Sequence, residues 1–226
     1  MPEPTATDPR WPELFSVMVH DIRTPMTVIN GYLDMLLKER FGPVNDKQRH
    51  LLQEIRKQYI KVYGILADGS ELTSIERGRV TYTRKPADLH QLLRTAIEQL
   101  PPQPDREVPV ELETSPGDAS IDADAPRLTK AFSSIIAGVR REAVMADRLV
   151  VREQRSGTEY QIRIGDDETI ASFDNVSIAD LPMFDEWRGG VGMTLAVARR
   201  ILNGHDARIA APPEGRKTGA VILLPR

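Results

Sequence analysis

Between residues 15 and 36 the apolar positions Phe15, Val19, Ile22, Met26, Ile29, Leu33 and Leu36 step 4, 3, 4, 3, 4, 3. This alternation is a seven-residue repeat and demands a long helix packed along a seam. A second run, Leu52, Ile55, Tyr59, Val62 and Leu66, steps 3, 4, 3, 4. Phe41-Gly42-Pro43-Val44 divides the two runs and breaks the first helix. Asn45, followed three places later by Gln48, reads as a capping box for the second. The spacing predicts helices over residues 11–40 and 45–75. Gly64 and Gly69 inside the second cost about 1 kcal/mol each against Ala, and either permit close helix approach or loosen the hairpin. Two helices that bury one stripe each make a poor core alone. Two hairpins joined as a four-helix bundle make a good one, so a homodimer is expected.

His20 follows the seam residue Val19, so it should flank the seam and reach water. Asp21 is adjacent, and Arg23 and Thr24 follow at i+3 and i+4, which puts them on the face of His20. An imidazole titrates near neutrality and is a nucleophile through a ring nitrogen. A neighbouring carboxylate fixes its tautomer, a guanidinium offers a fork to phosphoryl oxygens, and a hydroxyl one turn away positions water. Pro25 removes the N–H that would bond the carbonyl of Asp21, so a bend is expected there. One His on an amphipathic helix is ordinarily a polar flank. The full string His20-Asp21-Ile22-Arg23-Thr24-Pro25 is what separates this one from that reading.

Composition narrows the classes. The 226 residues allow one or two domains with real cores. A net charge of −3, without blocks of like charge, points to neither nucleic acid nor an acidic membrane surface. The absence of cysteine excludes disulfides, thiolate chemistry and cysteine metal sites, and no pair among His20, His50, His90 and His205 has metal-ligand spacing, so no metal site is expected. No apolar run approaches the length of a membrane span, and residues 1–12 are polar and Pro-rich, unlike a signal peptide. A cytoplasmic protein with a flexible segment at residues 1–10 is expected.

After Glu76-Arg77-Gly78-Arg79 the pattern becomes mixed α and β. Strands are expected at 80–83, 108–113, 148–154, 159–165, 207–211 and 219–224. Helices are expected after the cap Asp88, over 126–143 and over 192–202. Ser156-Gly157 reads as a hairpin turn.

The string from His20 to Pro25, with its apolar heptad stripe and Gly31-Tyr32, closely resembles the phosphoacceptor box of two-component histidine kinases. The resemblance implies a dimerisation and histidine phosphotransfer domain over 11–78. Over 79–226 it implies an α/β sandwich like the kinase ATP-binding domain, also shared with gyrase-type ATPases. His20 is then the phosphoacceptor, with Asp21, Arg23 and Thr24 as catalytic companions. A sensor kinase of this family normally carries an input domain before the His box. Only about a dozen residues precede it here, so input from a partner, or a fragment of a longer sensor, is expected.

The family's nucleotide motifs are eroded. Where it has two Asn, the second a magnesium ligand, this sequence has Ser134 and Gly138; Arg141 stands in for a Lys. Its Asp-x-Gly-x-Gly-Ile motif reads Asp166-Asp167-Glu168-Thr169-Ile170, which keeps the adenine Asp and loses both glycines, so that Glu168 and Thr169 should crowd the base. Its last glycine motif reads Gly190-Val191-Gly192-Met193-Thr194-Leu195, one glycine short, and Phe184-Asp185-Glu186-Trp187-Arg188 runs into Gly189-Gly190 with no room for a long lid. Asp166, Arg141, Gly190 and Gly192 are thus remnants of an ATP site, and the plainer reading is inherited scaffold.

The expectation is a histidine phosphotransferase-like pseudokinase. It would exchange a phosphoryl group between His20 and receiver-domain aspartates in a phosphorelay, with an upstream sensor kinase as a further partner and no cofactor. ATP and magnesium enter only if the divergent pocket works. Two alternatives stand beside it: an active histidine kinase with a divergent ATP site, and a non-enzymatic regulator that binds a kinase or response regulator.

Overall fold

The computed structural model describes residues 11–103, 106–187, 192–213 and 218–226. The chain forms two compact units that divide between Val80 and Thr81.

The first unit is a helical hairpin of α1 (Trp11–Leu37) and α2 (Asp46–Glu76). Helix α1 ends before residue 40, the end expected from sequence. Glu39 and Gly42 take positive φ there, and Arg49 from α2 donates to the Leu37 carbonyl and pairs with Glu39. The capping box forms at Asn45: its side chain accepts from the Gln48 N–H at 2.9 Å and its own N–H donates to the Gln48 side chain at 2.9 Å. Helix α1 continues unbroken through Pro25.

The expected single stripe divides in two. Val19 and Leu33 on α1 and Leu66 on α2 are buried in the hairpin, with Phe15, Met26, Leu52 and Tyr59 half-buried beside them. Ile22, Ile29 and Leu36 remain 39%, 44% and 37% exposed, and Ile55 and Val62 50% and 40%. The rows 19-26-33 and 22-29-36 lie about 60° apart on the helix surface, because three residues advance about 300°. One neighbouring helix covers one row only.

The second unit is an α/β sandwich. Its strands are β1 (Lys85–Asp88), β2 (Val110–Glu113), β3 (Ser120–Ala123), β4 (Leu149–Ser156), β5 (Glu159–Gly165), β6 (Arg208–Ala210) and β7 (Ala220–Pro225). Its helices are α3 (Leu89–Glu98), α4 (Ala125–Glu142), α5 (Asp167–Ser172) and α6 (Thr194–Asn203). Five strands form one sheet in the order β2-β4-β5-β7-β6, in which β2 and β4 are parallel and the other pairs antiparallel; β1 and β3 form a separate ribbon. Leu89 and Leu93 of α3, Phe132, Ile135 and Ile136 of α4, and Leu195 and Ile201 of α6 are buried, as are Tyr160, Ile162 and Ile164 of the central strand β5.

Residues 80–83, expected as a strand, are not one; the first strand begins at Lys85. The Thr83 N–H donates to the Asp124 carboxylate at 3.1 Å instead of to a ladder, and the Tyr82 ring stands edge-on to His205 at 5.1 Å. Gly204 makes room for that ring, since a Cβ there would lie 2.2 Å from it. Helix α5 was not expected from the sequence.

His205 is buried and its tautomer follows from its partners. Nδ1 lies 2.8 Å from the Ile201 carbonyl and so donates, while Nε2 accepts the Asp124 N–H at 3.0 Å. Burial pushes its pKa below the usual histidine value, and nearby Arg84 adds to this against the raising effect of the Ile201 carbonyl, Asp124 and Asp206. The folded ring therefore resists the proton that the unfolded ring takes up near pH 6.5. Its contribution to stability is complete above about pH 6.5 and declines as pH falls below that towards the folded-state pKa. Calorimetric unfolding should show a lower transition temperature at about pH 5.5 than at about pH 7.5, with a smaller difference in His205→Gln. A difference of the same size in that variant assigns the dependence to other groups.

Candidate functional site

His20 stands on the outside of α1, next to buried Val19. Its side chain is 80% exposed and that of Asp21 72%. His20 Nδ1 lies 3.3 Å from Asp21 Oδ1, so the carboxylate holds one ring nitrogen and leaves Nε2 to solvent. Thr24 is exposed, and its hydroxyl donates weakly to the His20 carbonyl at 3.4 Å.

Arg23 departs from the expected arrangement. It does not join His20 on the outer face but turns into the hairpin, where Nη2 donates to Ser70 Oγ of α2 at 2.9 Å. The helical angle explains this: Arg23 lies only about 40° from the direction of Val19, so its stem starts beside the seam. Sequence reasoning did not find Ser70. The available signal was the run of small residues Gly69, Ser70, Thr73 and Ser74 near the end of α2, of which Gly69 and Thr73 are buried.

In the second unit, Asp166 is the N-cap of α5, and its carboxylate accepts the Thr169 N–H at 2.7 Å. Helix α5 then carries Thr169 into the sheet, where it is 2% exposed and donates from its hydroxyl to the Thr218 carbonyl at 3.2 Å. A Cβ on Gly165 would stand 2.8 Å from the Thr169 side chain, and one on Gly219 2.6 Å from it. The space that these two glycines leave at the ends of β5 and β7 is filled by the chain's own threonine. Glu168, expected to crowd the same space, is exposed instead. Asp167 is drawn outward to Arg148 by two hydrogen bonds of 3.0 and 2.8 Å, which hold its carboxyl below the usual carboxylate range.

Gly138 is buried on α4 beneath α6. A Cβ there would lie 3.1 Å from a methyl of Leu195, so an asparagine would require Leu195 to move. Arg141 is exposed at the end of α4. Gly192 takes a φ of 68°, a conformation glycine adopts without strain. Gly190 lies outside the described residues. Among the described residues, no cluster of three or more His, Asp or Glu is placed to hold a metal ion. Asp166 is thus used as a helix cap, and Thr169 and Leu195 occupy the volumes next to Gly165 and Gly138.

Comparison with known proteins bears on both units. Residues 11–78 match the model of the "His Kinase A (phospho-acceptor) domain". The first unit of the chain is thus similar to the phosphoacceptor domain of histidine kinases. The chain is 24% identical over 214 residues to the sensor protein VanS of Enterococcus faecium, an alignment that covers 92% of this chain and 55% of VanS. It is 30% identical over 96 residues to the cell-division control histidine kinase PdhS of Brucella ovis, covering 42% of this chain and 9% of PdhS. The chain thus spans about half the length of one relative and under a tenth of the other. In fold it is similar to full-length ShkA in complex with AMPPNP, with a TM-score of 0.69 and 18% identity over 94% of this chain and 45% of that one. The helical hairpin followed by an α/β unit is the fold of histidine kinases. No described helix is long and apolar enough to cross a membrane.

Proposed function

We propose that this chain is a member of the two-component histidine kinase family that exchanges phosphoryl groups between His20 and the aspartate of a receiver domain, with little or no ATP-dependent autophosphorylation. The observation that carries the reading is the exposed imidazole of His20 with Nδ1 on Asp21 and Nε2 in solvent. A ring that donates from Nδ1 to the carboxylate presents the Nε2 lone pair to an incoming phosphorus. In the transfer, an Nε2–P bond forms, the P–O bond to the receiver's aspartate breaks, and that carboxylate leaves. The proton on Nδ1 stays in the bond to Asp21, which stabilises the cationic ring that results. The reverse sequence returns the group to another receiver.

The absence of useful kinase activity is supported by Thr169, which fills the gap between Gly165 and Gly219, and by Gly138, where the family resemblance calls for a metal-binding asparagine. A magnesium ion supplies several kcal/mol of charge stabilisation at a transferring phosphate, and about 1.4 kcal/mol is tenfold in rate. Dimerisation through the first unit is supported by the row Ile22, Ile29 and Leu36 and by Ile55 and Val62, which one hairpin leaves exposed. The partners in this reading are a second copy, a receiver domain and an upstream sensor kinase.

Titration calorimetry with ATP, with and without magnesium, is expected to show no binding up to about 1 mM. A magnesium-dependent micromolar dissociation constant would overturn the pseudokinase part and favour an active kinase with a divergent site.

A further inference from the structure

The connector that joins the two units is very short. The Arg79 N–H donates to the Ser74 carbonyl at 3.0 Å, so the chain stays tied to the end of α2 up to that residue. The boundary between the units falls after Val80, and from Tyr82 onward the second unit holds the chain. The Tyr82 ring fills the space over Gly204, edge-on to His205, with the Arg127 guanidinium 5.8 Å from its centroid. The Thr83 N–H donates to Asp124 Oδ2 at 3.1 Å. The Arg84 guanidinium donates at 2.7 Å to the Gly204 carbonyl and at 2.7 Å to the Asp206 carboxylate, on either side of His205 in the chain.

The His205 ring and the Asp124 carboxylate link these contacts. The neutral ring donates through Nδ1 to the Ile201 carbonyl and accepts the Asp124 N–H at Nε2. The Asp124 carboxylate is divided between Thr83, at Oδ2, and the Arg127 N–H, 3.3 Å from Oδ1, and it also pairs with the Arg127 side chain at 3.7 Å. A proton on Nε2 turns that atom from acceptor to donor. It then opposes the Asp124 N–H and competes with Thr83 and Arg127 for the Asp124 carboxylate. Asp124 and Asp206 favour the charged ring, whereas burial and Arg84 oppose it.

We propose that residues 82–84 form a clasp that fixes the connector to the α/β unit and opens locally when His205 takes up a proton. Closed, the chain between the two anchors is Val80 and Thr81. Open, it runs as far as β1 at Lys85 and gains Tyr82, Thr83 and Arg84, which adds about 10 Å to its reach. The clasp is independent of the phosphotransfer reading above.

Hydrogen exchange of the full chain, read amide by amide by NMR, tests the clasp. Opening frees the ring to an ordinary pKa near 6.5, so proton uptake raises the open population by up to about tenfold between about pH 7.5 and about pH 5.5. Corrected for the intrinsic effect of pH on exchange, protection of the Thr83 amide should fall by about fivefold to tenfold over this interval. At both pH values it should lie well below that of the Ile162 amide in the central strand β5, which reports global unfolding. His205→Gln keeps a donor and an acceptor but does not titrate, so Thr83 protection should no longer respond to pH. Tyr82→Ala removes the ring from its slot and should lower Thr83 protection by at least about tenfold at about pH 7.5, while Ile162 stays protected. A Thr83 amide as protected as Ile162, protection independent of pH in the wild type, a response of the same size in His205→Gln, or no effect of Tyr82→Ala overturns the clasp.

Discussion

His20→Gln is expected to abolish label uptake from a phosphorylated receiver domain while leaving the oligomeric state unchanged. Glutamine keeps hydrogen-bonding capacity but has no nucleophilic ring nitrogen, so the N–P bond cannot form. The side chain is 80% exposed, so its replacement removes little packing. Label on the wild-type protein should be acid-labile and alkali-stable. Asp21→Asn should slow uptake, because the ring loses the carboxylate 3.3 Å from Nδ1. Thr24→Ala should act mainly on hydrolysis of the receiver's aspartyl phosphate, where a positioned water matters more than the imidazole. Label on His50, His90 or His205, or undiminished uptake by His20→Gln, would disprove the assignment and favour a purely regulatory protein.

Ile29→Asp should convert a dimer to a monomer at micromolar concentration. Ile29 is 44% exposed on the hairpin and lies in the row with Ile22 and Leu36 that α2 does not cover. A carboxylate buried there without a partner costs at least about 3 kcal/mol. A two-fold interface contains it twice, so the dimer dissociation constant should rise by about four orders of magnitude. Light scattering reads the result directly. A wild-type monomer refutes the dimer, and an Ile29→Asp variant that remains dimeric places the interface elsewhere.

The heptad rows, the capping box at Asn45 and Gln48, the cap at Asp88 and the Ser156-Gly157 turn were legible because each is local: every interaction lies within one helix turn or one hairpin. The strand expected at 80–83 failed for the opposite reason. Thr83 bonds Asp124, 41 positions away, and Tyr82 packs on a histidine still farther along the chain. Helix α5 was hidden because its residues, Asp166 to Ile170, were read only as an eroded nucleotide motif. Its cap, Asp166 followed three places later by Thr169, was visible, but which of its residues turn inward was not. Thr169 enters the sheet because Gly165 and Gly219, from two different strands, leave the space for it.

The sequence by itself determined the helical hairpin, helices α3, α4 and α6 and the β4–β5 hairpin of the α/β unit, and the phosphoacceptor-like string around His20. These follow from period, caps and residue chemistry, which act over a few residues. Tertiary structure alone decided which row of the stripe is covered, that Arg23 turns to Ser70 instead of joining His20, and that Thr169 and Leu195 occupy the volumes beside Gly165 and Gly138. Each of these outcomes depends on which side chain fills a space left by a distant segment, and close packing settles that only when the segments meet.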